Sequence, residues 1–259
     1  SEFYEELKRL NISVIRPNIN TCFADFTSNG KNFLYALGAI KNVGYEAISN
    51  VVQEREKNGK YKNISDFIKR INPKNINKLQ LEGLVRAGAF DDININRQSL
   101  FNSIPNIILK SKNNFENKMD NQINLFNDEF ESNDDFLEQV DDWKVDIKLS
   151  KEFETLGFFI SDHPLNQYKT IFNQYNILSY NQFENNKDLL SSNIACTVLK
   201  VQEKKTQKGN SYAILKLSDL NNVFEVFIFS EVFESNRDKL IEGKSIMMTL
   251  IKNYIDVSK

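Results

Sequence analysis

The segment from 113 to 146 sets the strongest limit on how this chain can fold. It carries eleven acidic residues (Glu116, Asp120, Asp128, Glu129, Glu131, Asp134, Asp135, Glu138, Asp141, Asp142, Asp146) against two basic ones, Lys118 and Lys144, a net of −9. A stretch so polar buries too little apolar surface to fold alone. It reads as an acidic tether whose length suggests function or disorder. Compact units must then lie on either side, and 259 residues leave room for roughly two or three. One apolar hook interrupts the tether, Gln122-Ile123-Asn124-Leu125-Phe126. Leu125 and Phe126 either fill a pocket on another protein or fold back onto this one.

Before the tether the spacing is helical. Residues 1–37 read as a short helix over Glu2–Leu10 and an extended piece from Ile12 stopped by Pro17. A turn at Asn29-Gly30-Lys31 and a short strand or connector over Phe33–Leu37 follow. Ala47, Ile48, Val51 and Val52 recur at helical intervals over Tyr45–Lys57, and Gly59 supplies a stop. Ser65 caps a helix that runs to about Ile71 before Pro73 breaks it. The next helix, Ile76–Ala87, turns Leu79, Leu84 and Val85 inward and closes at Gly88; another over Arg97–Leu109 bends or restarts at Pro105. Residues 38–86 carry ten basic side chains against five acidic ones, a net of +5. A basic unit beside an acidic tether suggests two different partners, although a solvated helical surface has the same composition.

After the tether a helix over Ser150–Ile160 places Phe153, Leu156 and Phe159 on one side. From 193 the period changes to two. Ile194–Val201, Tyr212–Leu217, Val223–Phe229 and Ser245–Ile251 read as strands, with a helix over Ser230–Leu240 before the last. A three-stranded meander, a helix and a strand is the order of an OB-fold barrel. That fold has five strands and this chain shows four, so the barrel reads as truncated. The expected fold class is multi-domain α+β, a helical helix–hairpin–helix domain followed by a truncated OB-fold β-barrel. The expected segments are 1–37, 38–110, the tether 111–145, a helical connector 146–192 and the barrel 193–259.

Three features could carry chemistry. Leu37–Ala47 reads as a tight hairpin opening a helix, with Lys41, Asn42, Val43 and Gly44 at its tip. Free N–H groups at a helix start suit a phosphate, and such contacts are independent of sequence. The usual hairpin has Gly-apolar-Gly; here Asn42 stands first, and Asn tolerates the left-handed backbone better than most residues. A plain helix-linking turn remains an equal reading. A weaker second copy lies at Arg86-Ala87-Gly88-Ala89, where a plain turn is the better reading. The second feature is the hook, in which the Gln122 amide fixes orientation while Leu125 and Phe126 anchor; tethered modules convert weak contacts into long residence. In the third, Phe224, Val226 and Ile228 face one way, and Glu225, Phe227 and Phe229 the other. Lys204, Lys205, Lys208 and Tyr212 add cations and a ring that suit single-stranded nucleic acid. A solvated loop and a domain contact are the competing readings.

Other classes lack support in the residues. No apolar run approaches the ~20 residues of a membrane span, and no signal peptide or lipidation motif is visible. Cys22 and Cys196 are isolated, which fits a reducing compartment and argues against structural zinc. His163, before Pro164, reads as a local hydrogen-bonding residue. No catalytic residue is assigned, since no nucleophile set, phosphate loop or paired metal carboxylates are recognisable.

Taken together, these pieces resemble the alpha subunit of bacterial DNA polymerase III, the C-family replicative polymerase. Leu37–Gly44 is similar to the family's LGAIKGVG segment, with Asn42 replacing a glycine. Asn77–Asp91 and Glu152–Leu165 resemble two longer family blocks, and Gln122–Phe126 falls where the family keeps its internal clamp-binding motif. The resemblance implies a C-terminal part running from the end of the fingers to the OB domain. It implies a parent enzyme whose metal ions, magnesium by expectation, sit on palm aspartates upstream of Ser1, leaving this part without cofactor or polymerase activity alone. The implied partners are duplex DNA, the sliding clamp (beta subunit), the single-stranded template and other holoenzyme subunits, in the bacterial cytoplasm. An accessory module of a repair nuclease or helicase, and a protein-interaction scaffold, are the alternatives.

Overall fold

The path into the first core is set by β1 (Ser13–Ile15). The computed structural model pairs it parallel to β3 (Asn32–Leu34), with β2 (Thr27–Ser28) antiparallel on the other side of β3. The structure describes residues 6–7, 10–119, 134–207 and 209–252. The chain divides into two compact units, Ser1–Ile160 and Ser161–Lys259. The division falls between 160 and 161, inside the segment read as a connector. Most of the helix expected over Glu2–Leu10 lies outside the described residues.

The first unit is built on α1 (Tyr45–Asn58), α2 (Ile64–Arg70), α3 (Lys78–Arg86), α4 (Arg97–Asn102), α5 (Ile104–Met119) and α6 (Val145–Leu156). Gly59 follows α1 at φ +85°, as a stop glycine should. Two expectations are corrected here. The cap of α2 is Asn63, whose side chain accepts from the Asp66 N–H, while Ser65 is buried inside the helix. Leu79 does not point inward: α3 starts at Lys78 behind the Asn77 cap, so its buried stripe is Leu81, Leu84 and Val85 and Leu79 is 57% exposed. Ser103 separates α4 from α5, and Pro105 sits in the first turn of α5, where its missing N–H costs nothing.

The segment read as a tether is partly structured. Helix α5 continues to Met119. After 120–133, which lie outside the described residues, the chain packs on the helices again. Asp134 accepts the backbone N–H groups of Ile64 and Ser65, a second cap on α2. Leu137 is buried in the core, and the Glu138 backbone exchanges hydrogen bonds with the hydroxyls of Ser99 and Ser103. Charge counting missed this because one carboxylate at a helix start and one leucine suffice to dock a polar strand.

Three arginines of the basic stretch serve the fold. Arg55 is buried and donates to the carbonyls of Ile19 at 2.9 Å and Cys22 at 2.6 Å, and burial lowers its pKa. Arg70 bridges Glu54 and Asp66, each at 3.1 Å. Arg86 lies over the Phe101 ring. The lysines of the stretch remain the solvent-facing cations.

The second unit carries the short helices α7 (Lys169–Gln174) and α8 (Tyr180–Asn185), then strands β4 (Ser191–Lys205), β5 (Ser211–Ser218), β6 (Val223–Ile228), helix α9 (Ser230–Asn236) and β7 (Ser245–Ile251). The sheet order is β6-β5-β4-β7, all antiparallel. Fifteen-residue β4 makes this possible: its first half, Ser191–Thr197, pairs with β7 and its second half pairs with β5. The register shifts between Val198 and Lys200, where a bulge bends the strand. A strand shared in this way curls the sheet into an OB-like half-barrel over Ile194, Cys196, Val198, Leu215, Leu217 and Phe233. His163 is a hydrogen-bonding residue but only partly a local one: Nδ1 accepts from the Leu165 N–H, while Nε2 lies 2.9 Å from the hydroxyl of Ser218, 55 residues away.

Candidate nucleic-acid interface

The hairpin ahead of α1 is shaped by two left-handed residues. A single 3₁₀ turn at Leu37–Ala39 leads through buried Ile40 into Asn42 at φ +69° and Gly44 at φ +80°. Asn42 thus takes the conformation that a glycine would otherwise supply. Gly44 is the N-cap of α1 and no side chain caps that end, so first-turn N–H groups are left for an acceptor from outside. Lys41, Asn42 and Gly44 are exposed, as is Tyr45 beside them. Val43 is only 1% exposed and anchors the tip. Glu46 in the same first turn is the one acid at this edge of the helix.

The tip is braced from behind. The Lys41 N–H donates to the Thr155 carbonyl of α6 at 3.1 Å. Gln80 of α3 donates through Nε2 to the Val43 carbonyl at 2.9 Å. Gly83 lets α3 approach closely, because a Cβ there would stand 2.7 Å from the Lys41 carbonyl oxygen. Neither Gln80 nor Gly83 was singled out from sequence. The Asn77-x-x-Gln80 pattern signals a capping box, but the contact to Val43 is tertiary and has no local signature.

The second turn is held differently. Arg86 ion-pairs with Glu82 at 3.7 Å and Glu154 at 3.9 Å and lies over the Phe101 ring. Gly88, at φ +75°, faces the guanidinium of Arg97, which makes a two-pronged bond to Asp91 at 2.8 and 2.7 Å. Burial lowers the Arg97 pKa, but the Asp91 carboxylate outweighs it and leaves the group raised. Arg86 and Gly88 are therefore engaged inside the first unit.

In the second unit Tyr212 and Lys204 are register partners on β5 and β4. Tyr212 stacks on Phe227 with ring centroids 4.8 Å apart, and Phe227 meets Phe229 edge-on at 5.1 Å. Phe227 and Phe229 are 52% and 62% exposed. Strand alternation sends Lys205 to the opposite face from Lys204. Lys208 lies outside the described residues, as do Gln122, Leu125 and Phe126. Among the described residues no group of three or more His, Cys, Asp or Glu is placed to hold a metal ion. No helix among them is long and apolar enough to cross a membrane.

Comparison with known proteins fits this geometry. A family model for the helix-hairpin-helix motif matches residues 11–100. The DNA polymerase III subunit alpha of Borreliella burgdorferi is 32% identical over 254 residues, 95% of this chain and 22% of the relative. That of Caulobacter vibrioides is 30% identical over 246 residues, covering 94% and 22%. That of Rickettsia bellii is 33% identical over 273 residues, covering 95% and 23%. The chain spans less than a quarter of the length of these relatives.

Proposed function

We propose that this chain, homologous over nearly its whole length to one segment of the bacterial DNA polymerase III alpha subunit, is a DNA-holding part of a replicative polymerase. The activity proposed for the whole protein is template-directed DNA synthesis. This segment's share is to grip the duplex and hold the enzyme on it, in the bacterial cytoplasm and among the other holoenzyme subunits, rather than to transfer nucleotides. One observation carries the reading: an exposed hairpin with left-handed Asn42 and Gly44 opens onto the uncapped start of α1, within a match to the helix-hairpin-helix motif. Phosphate oxygens accept from N–H groups in such a place whatever the base sequence.

Lys41 adds a cation at the tip, and Asn42, Val43 and Gly44 supply the backbone. Arg86 and Gly88 contribute indirectly, by fixing the body behind the hairpin. A second surface, Tyr212 with Phe227, Phe229 and Lys204, offers rings and a cation to an unpaired template strand. Lys205 ends β4 on the opposite face and adds its charge at the strand's end rather than on this surface, while Lys208, read from sequence alone, would add a further cation. Gln122, Leu125 and Phe126 are proposed as the hook for the sliding clamp; this rests on their sequence and on the position of the segment in the family.

Equilibrium binding to a random-sequence duplex across a salt series tests the reading. Affinity should fall steeply with salt, and Lys41→Ala should reduce the salt slope by about one. Salt-independent binding would remove the duplex-holding role. Clamp capture by the full protein should be lost when Leu125→Ala and Phe126→Ala are combined; unchanged capture would reject the hook.

A further inference from the structure

Gln80 occupies an unusual place between two functions of one side chain. Its Oε1 accepts the Asn77 N–H at 2.7 Å, while its backbone N–H donates to Asn77 Oδ1 at 3.1 Å, completing the capping box that starts α3. Its Nε2 reaches away from the helix to the Val43 carbonyl at 2.9 Å. Val43 sits between the two left-handed residues of the hairpin. The α3 helix start and the hairpin tip are thus joined through one amide.

We infer that Gln80 is a positioning residue for phosphate binding: it sets the peptide plane after Val43, and with it the direction of the Gly44 N–H on that same plane. The inference rests on the duplex-holding role proposed for the hairpin. The physics is that of a rigid planar peptide. A donor held on the Val43 oxygen fixes the orientation of the Gly44 N–H on the opposite side of that plane. Two further restraints leave Gln80 the deciding one. The Lys41 N–H is tied to Thr155, which fixes the plane before Lys41 from α6, and the Lys41 carbonyl is wedged against Gly83, which fixes the plane before Asn42 from α3. The Val43 N–H donates to the Ile40 carbonyl at 3.1 Å, which fixes the plane before Val43. The Val43–Gly44 plane is the remaining one, and Gln80 holds it. A binding group that is already oriented loses less freedom on meeting its ligand.

Gln80→Glu separates the two jobs of the side chain. Glutamate keeps an acceptor for the Asn77 N–H and preserves the capping box. It loses the donor to Val43 and sets a carboxylate oxygen against that carbonyl. Gln53→Glu, at an exposed position in the C-terminal half of α1, supplies the same charge change away from the hairpin. Relative to Gln53→Glu, Gln80→Glu should bind duplex DNA about fivefold more weakly, with a smaller salt slope. The Val43 amide, hydrogen-bonded to Ile40, should exchange with solvent faster while those of α3 do not. That exchange measurement, made on the free protein, decides the case even where the variant is less stable. Affinity and salt slope equal to those of Gln53→Glu, or unchanged exchange at Val43, would overturn the inference. If Lys41→Ala weakens duplex binding and Gln80→Glu does not, the positioning role fails and the hairpin reading stands; if neither does, both fail.

Discussion

A Cβ at position 88 would meet Arg97 Nη2 at 2.1 Å, on a residue held at φ +75°. Gly88→Ala must therefore adopt a left-handed backbone and push a buried guanidinium off Asp91. The first effect costs about 1–2 kcal/mol and breaking a buried pair about 3–5 kcal/mol. Destabilisation of ~3 kcal/mol or more is expected in the denaturant midpoint read from Trp143; a loss under ~1 kcal/mol would mean that Arg97 relocates freely. Asp142 gives a pH-dependent counterpart. Burial raises its pKa, but hydrogen bonds from Lys148 and from the backbone N–H groups of Gln98 and Trp143 outweigh this and hold it below the ordinary 3.8. A depressed folded-state pKa stabilises above the unfolded value and loses that contribution as pH falls through the folded one. Asp142→Asn should thus be less stable than the parent at pH 7, with the gap closing below about pH 3.8; a constant gap would dismiss the role. At this scale Asn42 was readable, because a residue that tolerates φ > 0 stood where a hairpin needs one. Gln80 was not, because its partner is 37 residues away.

Elements were legible where one period held. The alternation of Val223–Ile228 gave both its strand character and the outward direction of Phe227. Strand β4, at fifteen residues, is about twice as long as either partner because β5 and β7 divide its length, and pairing of that kind leaves no mark on local sequence. Helix α5 runs past its expected end at Leu109 because the polar residues after it, buried Ser111 among them, extend a helix already nucleated at Ile104. The exposed ring of Phe227 carries a prediction for its strand. Phe227→Ala should weaken binding to single-stranded DNA by about 1–3 kcal/mol, the worth of one stacking platform. The ring is half exposed, so folding stability should change little. A variant that binds an oligonucleotide as well as the parent would take the aromatic face out of the interface.

Each of the two units has its own apolar core, one centred on Leu37, Ile48, Leu84 and Ile104 and the other on Ile194, Leu215 and Phe233. The single tryptophan, Trp143, lies against Phe101 in the first. Leu215→Ala should cost the second unit about 2–5 kcal/mol. It should shift the strand signal in circular dichroism while the Trp143 fluorescence midpoint stays in place; a matching shift in both would mean one cooperative unit. The division into a helical part and a strand part was visible from the change of period, but its boundary was not, because 134–160 joins the helices through Asp134, Leu137 and Glu138 rather than through any repeat. One consequence concerns the ends of 120–133. Helix α5 on one side and the Asp134 cap on the other belong to the same compact body. A ligand pulling on that segment would be moored by two lines instead of one. A single peptide break in it would leave both severed ends ashore on the same unit, so that proteolytic nicking and release become separate events.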